Sequence, residues 1–310
     1  MEDNELLLID RIEKIKSINK QYNLEDNAYI SFSGGKDSTV LVDLVKNKCG
    51  YDYIPAVFID TGLEYPELKE FARDRADEIL RPKMSFVEVI KKYGYPIISK
   101  ENAAKISEIR TTKSDKLKNN RLYGDSNGNG KLPNKYQYLT EAPFKISSKC
   151  CDVMKKRVVH KYESQTGFKP FIGTLAEESR LRKTTWQKQG CNAFLASRPV
   201  STPLAFWTER DILAYITQEN LEIASVYGDI IKNDKGEYEL TGCQRTGCVF
   251  CGFGCHLEGE PNRFQRLAET HPKLYDYCIN GGEYDENGMW QPNVRGLGMG
   301  KVLDYIGVDR

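Results

Sequence analysis

Residues 28–46 read Ala-Tyr-Ile-Ser-Phe-Ser-Gly-Gly-Lys-Asp-Ser-Thr-Val-Leu-Val-Asp-Leu-Val-Lys. The apolar start of this stretch predicts a buried strand, and the apolar spacing after residue 39 predicts an amphipathic helix. Gly34 and Gly35 lie between them, where the absence of a Cβ lets backbone N–H groups approach an anion closely. Lys36 adds a positive charge to the helix N-terminus, whose dipole also favours an anion. The stretch therefore predicts a phosphate-binding turn, with an ordinary Gly-Gly connection as the alternative.

Three further apolar runs indicate that this strand belongs to a parallel sheet. They cover residues 54–59, 85–90 and 168–173, and the distance from the first strand to residues 54–59 suits a βαβ crossover. The carboxyl ends of parallel strands share one edge of a sheet, so Asp60 and Glu64 are expected beside the Gly-Gly turn. We therefore expect an α/β fold with a doubly wound, mostly parallel sheet.

Helix signals fill much of the remaining chain. Apolar residues recur at helical spacing over residues 5–19, and Pro66-Glu67 has the composition of a helix start. Thr208 and Asp211 have the spacing of a capping box, for which we predict a structural role. Further elements are expected as helices from residue 101 and over 147–164, 262–278 and 302–306, and as a hairpin over 227–240.

The bulk composition limits the function classes. The 310 residues carry a formal net charge of only +1, so no overall field directs the chain to nucleic acid or to a membrane surface. No apolar run is long enough to span a membrane, and the first residues lack the pattern of a secretory signal. We expect a cytoplasmic protein without membrane contact, with residues 1–225 forming a nucleotide-binding domain and 226–310 a cysteine-rich, cluster-binding and helical region.

Residues 105–137 have the composition of an insertion in the first domain. Between Lys105 and Lys135, eight basic residues face three acidic ones, and residues 125–130 consist mostly of Gly, Asn, Asp and Ser. Two interpretations account for this segment: a mobile flap that meets a polyanion, either the nucleotide or a nucleic acid, or a solvated surface insertion.

The placement of the cysteines predicts a metal centre. Six of the nine cysteines lie either at Cys150-Cys151 or between Cys243 and Cys255, and in an intracellular chain they indicate metal ligands or reactive thiols rather than disulfides. Cys248 and Cys251 have the spacing that lets two thiolates bind one centre from a tight turn. With the upstream pair, four thiolates are available for a [4Fe–4S] cluster or for Zn²⁺; buried structural cysteines are a third interpretation.

Adjacent cysteines favour the cluster. Two neighbouring thiolates reach one small tetrahedral zinc ion with difficulty, whereas a cubane offers them separate iron atoms. Cys243 and Cys255 are then additional thiols. Either could replace a member of the upstream pair or carry a persulfide.

Several motifs resemble one superfamily of enzymes. The sequence Ser33-Gly-Gly-Lys-Asp-Ser38 resembles the signature of PP-loop ATP pyrophosphatases, which cut ATP between its α and β phosphates, and Asp60-Thr-Gly-Leu-Glu-Tyr-Pro-Glu67 resembles the second motif of phosphoadenosine phosphosulfate reductases. Residues 203–211 resemble the Pro-Leu-x-x-Trp-Thr-x-x-Asp segment of that family. Residues 173–179 resemble its Gly-x-Arg-x-x-Glu-Ser segment, with Leu175 in place of the arginine.

The cysteine layout also resembles a branch of this family. A Cys-Cys pair followed far downstream by Cys-x-x-Cys is similar to the cluster-binding adenosine phosphosulfate reductases. Two features differ from simple sulfonucleotide reductases, because the loop at 33–38 is intact and Cys255-His256 lacks their Glu-Cys-Gly-x-His context.

The resemblance, together with the patterns above, implies a set of site residues. An adenine nucleotide, ATP with Mg²⁺, is expected on Ser31, Ser33, Gly34, Gly35, Lys36, Asp37, Ser38, Asp60, Gly62, Glu64, Gly173, Glu178, Ser179 and Arg182. Arg180 and Arg182 are phosphate partners in this interpretation, or residues of a solvated helix face in the alternative. The predicted catalytic residues are Lys36, Asp37, Asp60 and Cys255. The predicted metal ligands are Cys150, Cys151, Cys248 and Cys251, with Cys243 in addition.

Three reactions are compatible with these residues. The first is an ATP-dependent sulfurtransferase that forms AMP and pyrophosphate, acts on an acceptor such as nucleic acid and receives sulfur from a donor such as a cysteine desulfurase. The second is the reduction of adenylyl sulfate or phosphoadenylyl sulfate with Cys255 as the nucleophile. The third is a zinc-stapled module that binds nucleic acid without catalysis.

Overall fold

The computed structural model describes residues 3–22, 27–193 and 198–310. These residues form two compact units that alternate along the chain. The first unit comprises 1–60, 64–81 and 158–246, and the second comprises 61–63, 82–157 and 247–310. The chain therefore passes from one compact unit to the other several times. The predicted domain division has a single boundary, after residue 225.

The described strands are short, and the longest of them lies at the predicted position. They are β1 Ala28–Phe32, β2 Ala56–Ile59, β3 Glu78–Leu80, β4 Ile97–Ile98, β5 Lys169–Ile172, β6 Ile230–Lys232, β7 Tyr238–Leu240, β8 Gly252–Phe253, β9 Glu283–Tyr284 and β10 Trp290–Gln291.

The helices account for more of the chain than the strands do. They are α1 Asp3–Tyr22, α2 Lys36–Asp43, α3 Pro66–Arg75, α4 Phe86–Tyr93, α5 Lys100–Thr111, α6 Asp115–Tyr123, α7 Lys149–Cys151, α8 Arg157–Thr166, α9 Arg180–Gln189, α10 Glu209–Gln218, α11 Arg263–Thr270, α12 Pro272–Ile279 and α13 Met299–Tyr305. No helix in these described ranges is both long and apolar enough to cross a bilayer.

The first unit is built on a four-stranded sheet in the order β3-β2-β1-β5, with all neighbours parallel. Successive residues of β1 point to opposite faces, as in any strand. Ile30 and Phe32 belong to one apolar cluster, which includes residues of α1, α2, α3 and α10. Tyr29 packs with Val57 and with Tyr162 of α8 in another cluster. Both faces are covered, which confirms the predicted α/β fold with a parallel sheet.

The interpretation of residues 85–90 as a strand was wrong, because these residues begin helix α4. The Ser85 hydroxyl accepts a hydrogen bond from the amide of Glu88, and the Glu88 carboxylate accepts one from the amide of Ser85 at 2.6 Å. This capping box satisfies two N–H groups that otherwise lack a partner at a helix start. The third sheet strand is instead β3, whose three residues show no apolar alternation.

The second unit contains the predicted insertion and most of the cysteine-rich segment. Strands β4 and β8 pair in parallel, with Ile97 opposite Gly252, and the buried hydroxyl of Tyr95 donates to the carbonyl of Leu297 at 2.7 Å. The segment 105–137 is largely ordered into the end of α5, helix α6 and the start of a 3-10 helix at Asn134–Glu141. Residues 125–130 contain neither helix nor strand and are mostly turns, in line with their Gly, Asn, Asp and Ser content.

Candidate functional site

The Gly-Gly turn has the conformation that a phosphate cradle requires. Gly34 has a φ of +75°, and a Cβ there would lie 2.8 Å from the Cβ of Ala72 and 2.9 Å from the carbonyl oxygen of Leu68. A side chain is therefore excluded by both backbone strain and space. Gly35 follows as the N-cap of α2, with no side-chain cap for the helix N–H groups.

Ser38 holds the turn in shape. Its hydroxyl accepts a hydrogen bond from the amide of Ser33 at 3.2 Å and donates to the carbonyl of Gly35 at 2.8 Å. The Thr39 hydroxyl donates to the same carbonyl at 3.1 Å. These bonds fix the loop before any ligand binds, which reduces the entropy cost of binding a phosphate.

Lys36 lies at the centre of a small charged group. Its side chain is only 7% exposed, and its ammonium lies 3.4 Å from Oδ1 of Asp37 and 3.2 Å from Oε1 of Glu209. Burial opposes the charge of Lys36, but the two carboxylates outweigh burial and raise the pKa of this lysine. Lys36 is therefore held as a cation although its side chain is buried.

Asp37 retains coordination capacity. Its Oδ1 is buried and accepts no hydrogen bond from any described residue, and the same holds for Oε1 of Glu209. Burial raises the pKa of Asp37, and the nearby charge of Lys36 offsets this effect only in part. The ammonium of Lys36 lies 3.4 Å from this oxygen without forming a hydrogen bond to it, so the lone pairs of Oδ1 can still accept a further ligand. The oxygen chemistry of this position therefore fits Mg²⁺, a hard cation that binds through one or two carboxylates and the phosphates of a substrate.

Asp60, which we predicted to be catalytic, is engaged by three cations. Its carboxylate is 5% exposed and lies 3.0 Å from Lys69, 3.1 Å from Arg73 and 3.5 Å from Arg81. Burial alone would raise the pKa of Asp60, but the hydrogen bond and charge of Lys69, with the two arginines, lower it. Asp60 is thus held ionised, which suits a residue that orders cations better than one that removes a proton.

The segment after β5 approaches the loop closely. A Cβ on Gly173 would lie 2.9 Å from the carbonyl oxygen of Asp37, so the two backbones are in contact. Ser179 accepts a hydrogen bond from the amide of Arg182 and caps α9. Arg182 forms an ion pair with Glu178, while burial and the charge of Arg245 lower its pKa.

The other predicted nucleotide residues lie at different places. Ser31 is half-buried inside β1, where it pairs with Val57 and Ile172, and Glu64 lies in the turn before α3. Gly62 belongs to the second compact unit, whereas the loop belongs to the first.

Two residues beside the loop, Tyr227 and Glu209, were not predicted from the sequence to belong to the site. The amide of Lys36 donates to the hydroxyl of Tyr227 at 3.2 Å, and this hydroxyl shares a hydrogen bond of 2.6 Å with Thr246. Glu209 is the other group, placed at the start of α10 by the Thr208 cap. The capping-box pattern located that helix start, but no spacing in the sequence links it to a loop so far upstream.

Four cysteines of the second unit line one small cavity. They are Cys150, Cys151, Cys248 and Cys251, and the cavity walls also include Leu63, Phe86, Pro96, Met154 and Lys155. The Cys150 thiol lies 4.0 Å from the Cys151 sulfur and donates to it, which lowers the pKa of Cys151 and raises that of Cys150. Burial raises the pKa of Cys251. The structure therefore groups the two sequence-distant pairs that were predicted to act together.

The donor set of this cavity fits a sulfur-bound metal centre. Within the described ranges, no three His, Cys, Asp or Glu side chains are already arranged as a metal-binding group. The fit consequently rests on donor chemistry, since four thiols around an apolar cavity match the ligands of a [4Fe–4S] cluster or of Zn²⁺.

The two additional cysteines do not join this cavity lining. Cys255 is 1% exposed, its thiol donates to the carbonyl of Gly252 at 3.1 Å, and burial raises its pKa to about 11. Cys243 lies in the first compact unit, where its amide donates to the carbonyl of Val226 at 2.9 Å. Buried Cys255 therefore lacks the exposed surroundings of a reactive thiolate.

Comparison with known proteins decides the family. The model of the phosphoadenosine phosphosulfate reductase domain matches residues 27–252, which include the loop, Asp60, the segment after β5 and both cysteine pairs. The chain belongs to the phosphoadenosine phosphosulfate reductase domain family. The predicted family is thus confirmed, as is the prediction that the chain is an enzyme.

Solved structures similar to this family member include two enzymes. One is the phosphoadenylyl-sulfate reductase of Candida auris in a phosphate complex, with 16% identity and a TM-score of 0.34 over 71% of this chain and 83% of that chain. The other is the NH3-dependent NAD synthetase of Campylobacter jejuni subsp. jejuni NCTC 11168 in complex with the nitrate ion. It has 13% identity and a TM-score of 0.39 over 72% of this chain and 76% of that chain. No curated protein matches the chain.

Proposed function

We propose that this protein is an ATP-dependent sulfurtransferase that releases pyrophosphate and AMP. The observation that carries the proposal is the buried Asp37 oxygen without a hydrogen-bond donor, beside Lys36, at the start of the helix that follows an intact Gly34-Gly35 turn. A cation at Asp37, a fixed ammonium and a row of backbone N–H groups are the parts that a triphosphate substrate needs.

The residues of the loop would act on the pyrophosphate half of ATP. The backbone N–H groups of Asp37 and Ser38, at the start of α2, and the ammonium of Lys36 would stabilise charge on the β and γ phosphates. Asp37 would hold Mg²⁺, which would neutralise phosphate charge when bound. An oxygen of the acceptor attacks the α phosphorus, and the bond from this atom to the bridging oxygen of the β phosphate breaks. Pyrophosphate leaves, and the acceptor oxygen carries AMP.

Sulfur then replaces the activated oxygen. A hydrosulfide equivalent forms a carbon–sulfur or phosphorus–sulfur bond to the acceptor, the bond to the activated oxygen breaks, and AMP leaves with the electron pair. No oxidant or reductant is consumed, because sulfur enters and leaves the step in the sulfide state. A cysteine desulfurase with a reductant is the class of donor that supplies such sulfur, and the reducing cytoplasm is the compartment that suits it.

The cavity cysteines would hold the metal group. Cys150, Cys151, Cys248 and Cys251 would supply four thiolates, one for each iron of a [4Fe–4S] cluster. Neighbouring Cys150 and Cys151 suit separate iron atoms, which favours the cluster over Zn²⁺.

Membership of the family favours a second function, reduction of adenylyl sulfate or phosphoadenylyl sulfate. That reaction needs a nucleophilic thiolate. Cys255 is buried, and its pKa is raised to about 11, so this residue is poorly suited to the role. A reductase of this kind would have no use for an intact pyrophosphate-binding loop or for a metal ligand at Asp37. We therefore rank reduction as the second candidate function.

Pyrophosphate release tests the proposal. Anaerobically purified, cluster-loaded protein is incubated with ATP, Mg²⁺, a sulfide source and single-stranded or duplex nucleic acid, and pyrophosphate and AMP are measured. Lys36→Ala should lower the rate at least ~100-fold, since one electrostatic contact to a developing charge is worth that much. Lys235→Ala, on an exposed turn, is the matched control.

Two results would contradict the sulfurtransferase. One is the absence of ATP-dependent pyrophosphate with every acceptor. The other is sulfite release from adenylyl sulfate or phosphoadenylyl sulfate that is lost in Cys255→Ser but kept in Lys36→Ala, which would establish the reductase instead.

A further inference from the structure

Helix α6 presents a stripe of exposed side chains. Lys116, Asn119 and Tyr123 are exposed and lie at positions i, i+3 and i+7, which share one face of a helix. Tyr123 is 72% exposed, which makes it one of the most exposed large hydrophobic residues in the described part of the protein. None of the residues of α6 is buried. The free face of the helix therefore combines a cation, an amide and a flat ring.

Interactions within the second unit separate six of the eight basic residues of segment 105–137 into two classes. Lys105 donates to Glu101 and to the carbonyl of Lys131, Arg110 donates to the carbonyl of Phe144 at 2.7 Å, and Arg121 forms an ion pair with Glu108. These cations hold the structure together. The positive charge of the sequence segment is therefore not all available to a partner.

Lys113, Lys116 and Lys118 form the second class. All three are exposed, and among the described residues no ion pair involves them. Asp115 is the only acidic residue between them. Their charges are concentrated at and just before the first turn of α6, on the helix whose far end carries Tyr123.

The helix is held in place rather than loosely attached. The Ser114 hydroxyl accepts a hydrogen bond from the amide of Leu117 at 3.3 Å and caps the N-terminus. The ion pair of Arg121 with Glu108 ties α6 to α5, and the carbonyl of Arg121 accepts a bond of 2.7 Å from the amide of Leu132. A fixed helix can present its side chains at low entropy cost on binding.

We propose that the α6 surface, formed by Lys113, Lys116, Lys118, Asn119 and Tyr123, binds single-stranded nucleic acid, the acceptor of the reaction proposed above. This inference rests on the proposed function for the identity of the acceptor. Lysines pair with phosphates, and an exposed aromatic ring stacks on an unpaired base regardless of its sequence. A duplex offers no free base face to Tyr123, so the ring indicates a single strand.

Equilibrium binding without ATP tests the surface independently of catalysis. Fluorescence anisotropy compares a labelled single-stranded oligonucleotide, as DNA and as RNA, with the corresponding duplex. The charge-reversal variant K113E/K116E/K118E should bind at least tenfold more weakly than the unsubstituted protein. The slope of log binding constant against log salt concentration should be smaller in magnitude by about two for this variant. Each of the three lost phosphate contacts lowers that slope by about 0.7. The variant K83E/K235E/K273E changes three other exposed lysines and should retain affinity.

Tyr123 separates base stacking from charge. Tyr123→Ala should weaken single-strand binding about tenfold, and Tyr123→Phe, which keeps the ring, should not. The proposal is overturned if the α6 charge variant binds like the control variant. It is also overturned if duplex binds as tightly as single strand and Tyr123→Ala has no effect.

The surface and the proposed function fail in different ways. If single-strand binding depends on α6 but no acceptor supports pyrophosphate release, the sulfurtransferase is wrong and the surface stands. If K113E/K116E/K118E releases pyrophosphate with the same KM for nucleic acid as the unsubstituted protein, the proposed function stands and the proposed surface is wrong.

Discussion

At the scale of single residues, the buried carboxylates near the proposed ATP site differ in the partners they have. Asp37 and Glu209 each keep an oxygen without a hydrogen-bond donor, and both face the ammonium of Lys36. Unsatisfied carboxylate oxygens cost stability, so their presence is expected where a ligand completes the site. Asp60 shows the opposite arrangement, since three cations already satisfy it. Asp37 has one cation partner where Asp60 has three, and it is therefore the carboxylate better suited to bind a metal ion.

The close approach of Gly173 to the loop leads to the first prediction. Gly173→Ala would place a Cβ 2.9 Å from the carbonyl oxygen of Asp37, and the loop would have to shift. We expect at least ~10-fold weaker binding of a non-hydrolysable ATP analogue by calorimetry, because backbone overpacking costs about 1–3 kcal/mol. Gly259→Ala, where a Cβ meets nothing within 4 Å, is the control. Equal affinities for both variants would show that the loop does not bind the nucleotide.

The raised pKa of Cys255 predicts low reactivity. With a pKa of about 11 instead of 9.0, its thiolate fraction at pH 8 is about 100-fold below that of an ordinary cysteine. Alkylation of Cys255 by iodoacetamide in the folded, metal-free protein should be about 100-fold slower than in denaturant. Its rate should rise about tenfold per pH unit until pH approaches 11.

Mass spectrometry of the labelled peptides measures this rate, with half-buried Cys243 as the internal comparison. Rapid labelling of Cys255 at pH 8 in the folded protein would restore it as a candidate nucleophile.

Among the elements, short segments were the hardest to predict. β3 has three residues, two of them exposed, so it lacks the alternation by which a strand is recognised. Residues 85–90 have that apolar character, yet the capping box of Ser85 and Glu88 makes them a helix. Helices with a clear signal at the N-terminus were predicted well. Examples are α3, which begins at Pro66, and α10, whose N-cap is Thr208.

The α4 cap gives a stability prediction at this scale. Ser85→Ala removes the acceptor for the amide of Glu88 and should lower the free energy of unfolding by about 1 kcal/mol. Chemical denaturation measures the change, and Ser85→Asn, which keeps a capping acceptor, should restore most of it. An unchanged midpoint in Ser85→Ala would mean that the cap does not contribute to the unfolding transition.

On the scale of the whole molecule, two kinds of site are distributed over two compact units. The loop with Lys36 and Asp37 belongs to the first unit, and the four-cysteine cavity belongs to the second. Each unit is discontinuous in sequence, so the ligands of each site come from distant parts of the chain. The family match covers parts of both units and includes the loop and both cysteine pairs.

Metal content provides the prediction for this scale. Anaerobically purified protein should contain about four iron and four sulfide per chain with broad visible absorbance, and Cys248→Ser should lose most of both. Cys49→Ser, in the first unit, should retain them. One zinc ion without sulfide would identify the cavity as a structural zinc site, and retention of iron in Cys248→Ser would remove that residue from the ligand set.

The sequence alone determined the features that depend on near neighbours. The strand, glycine turn and helix at residues 28–46, the start of α3 and the Thr208 cap follow from local spacing, because steric limits and helix-end hydrogen bonds act within a few residues. The family also follows from such motifs.

Only the tertiary structure decided which distant groups meet. It placed Glu209 and Tyr227 beside the loop, surrounded Asp60 with three cations and buried Cys255. Burial and charge at these positions arise from residues far apart in the chain, and spacing along the sequence carries no information about such contacts.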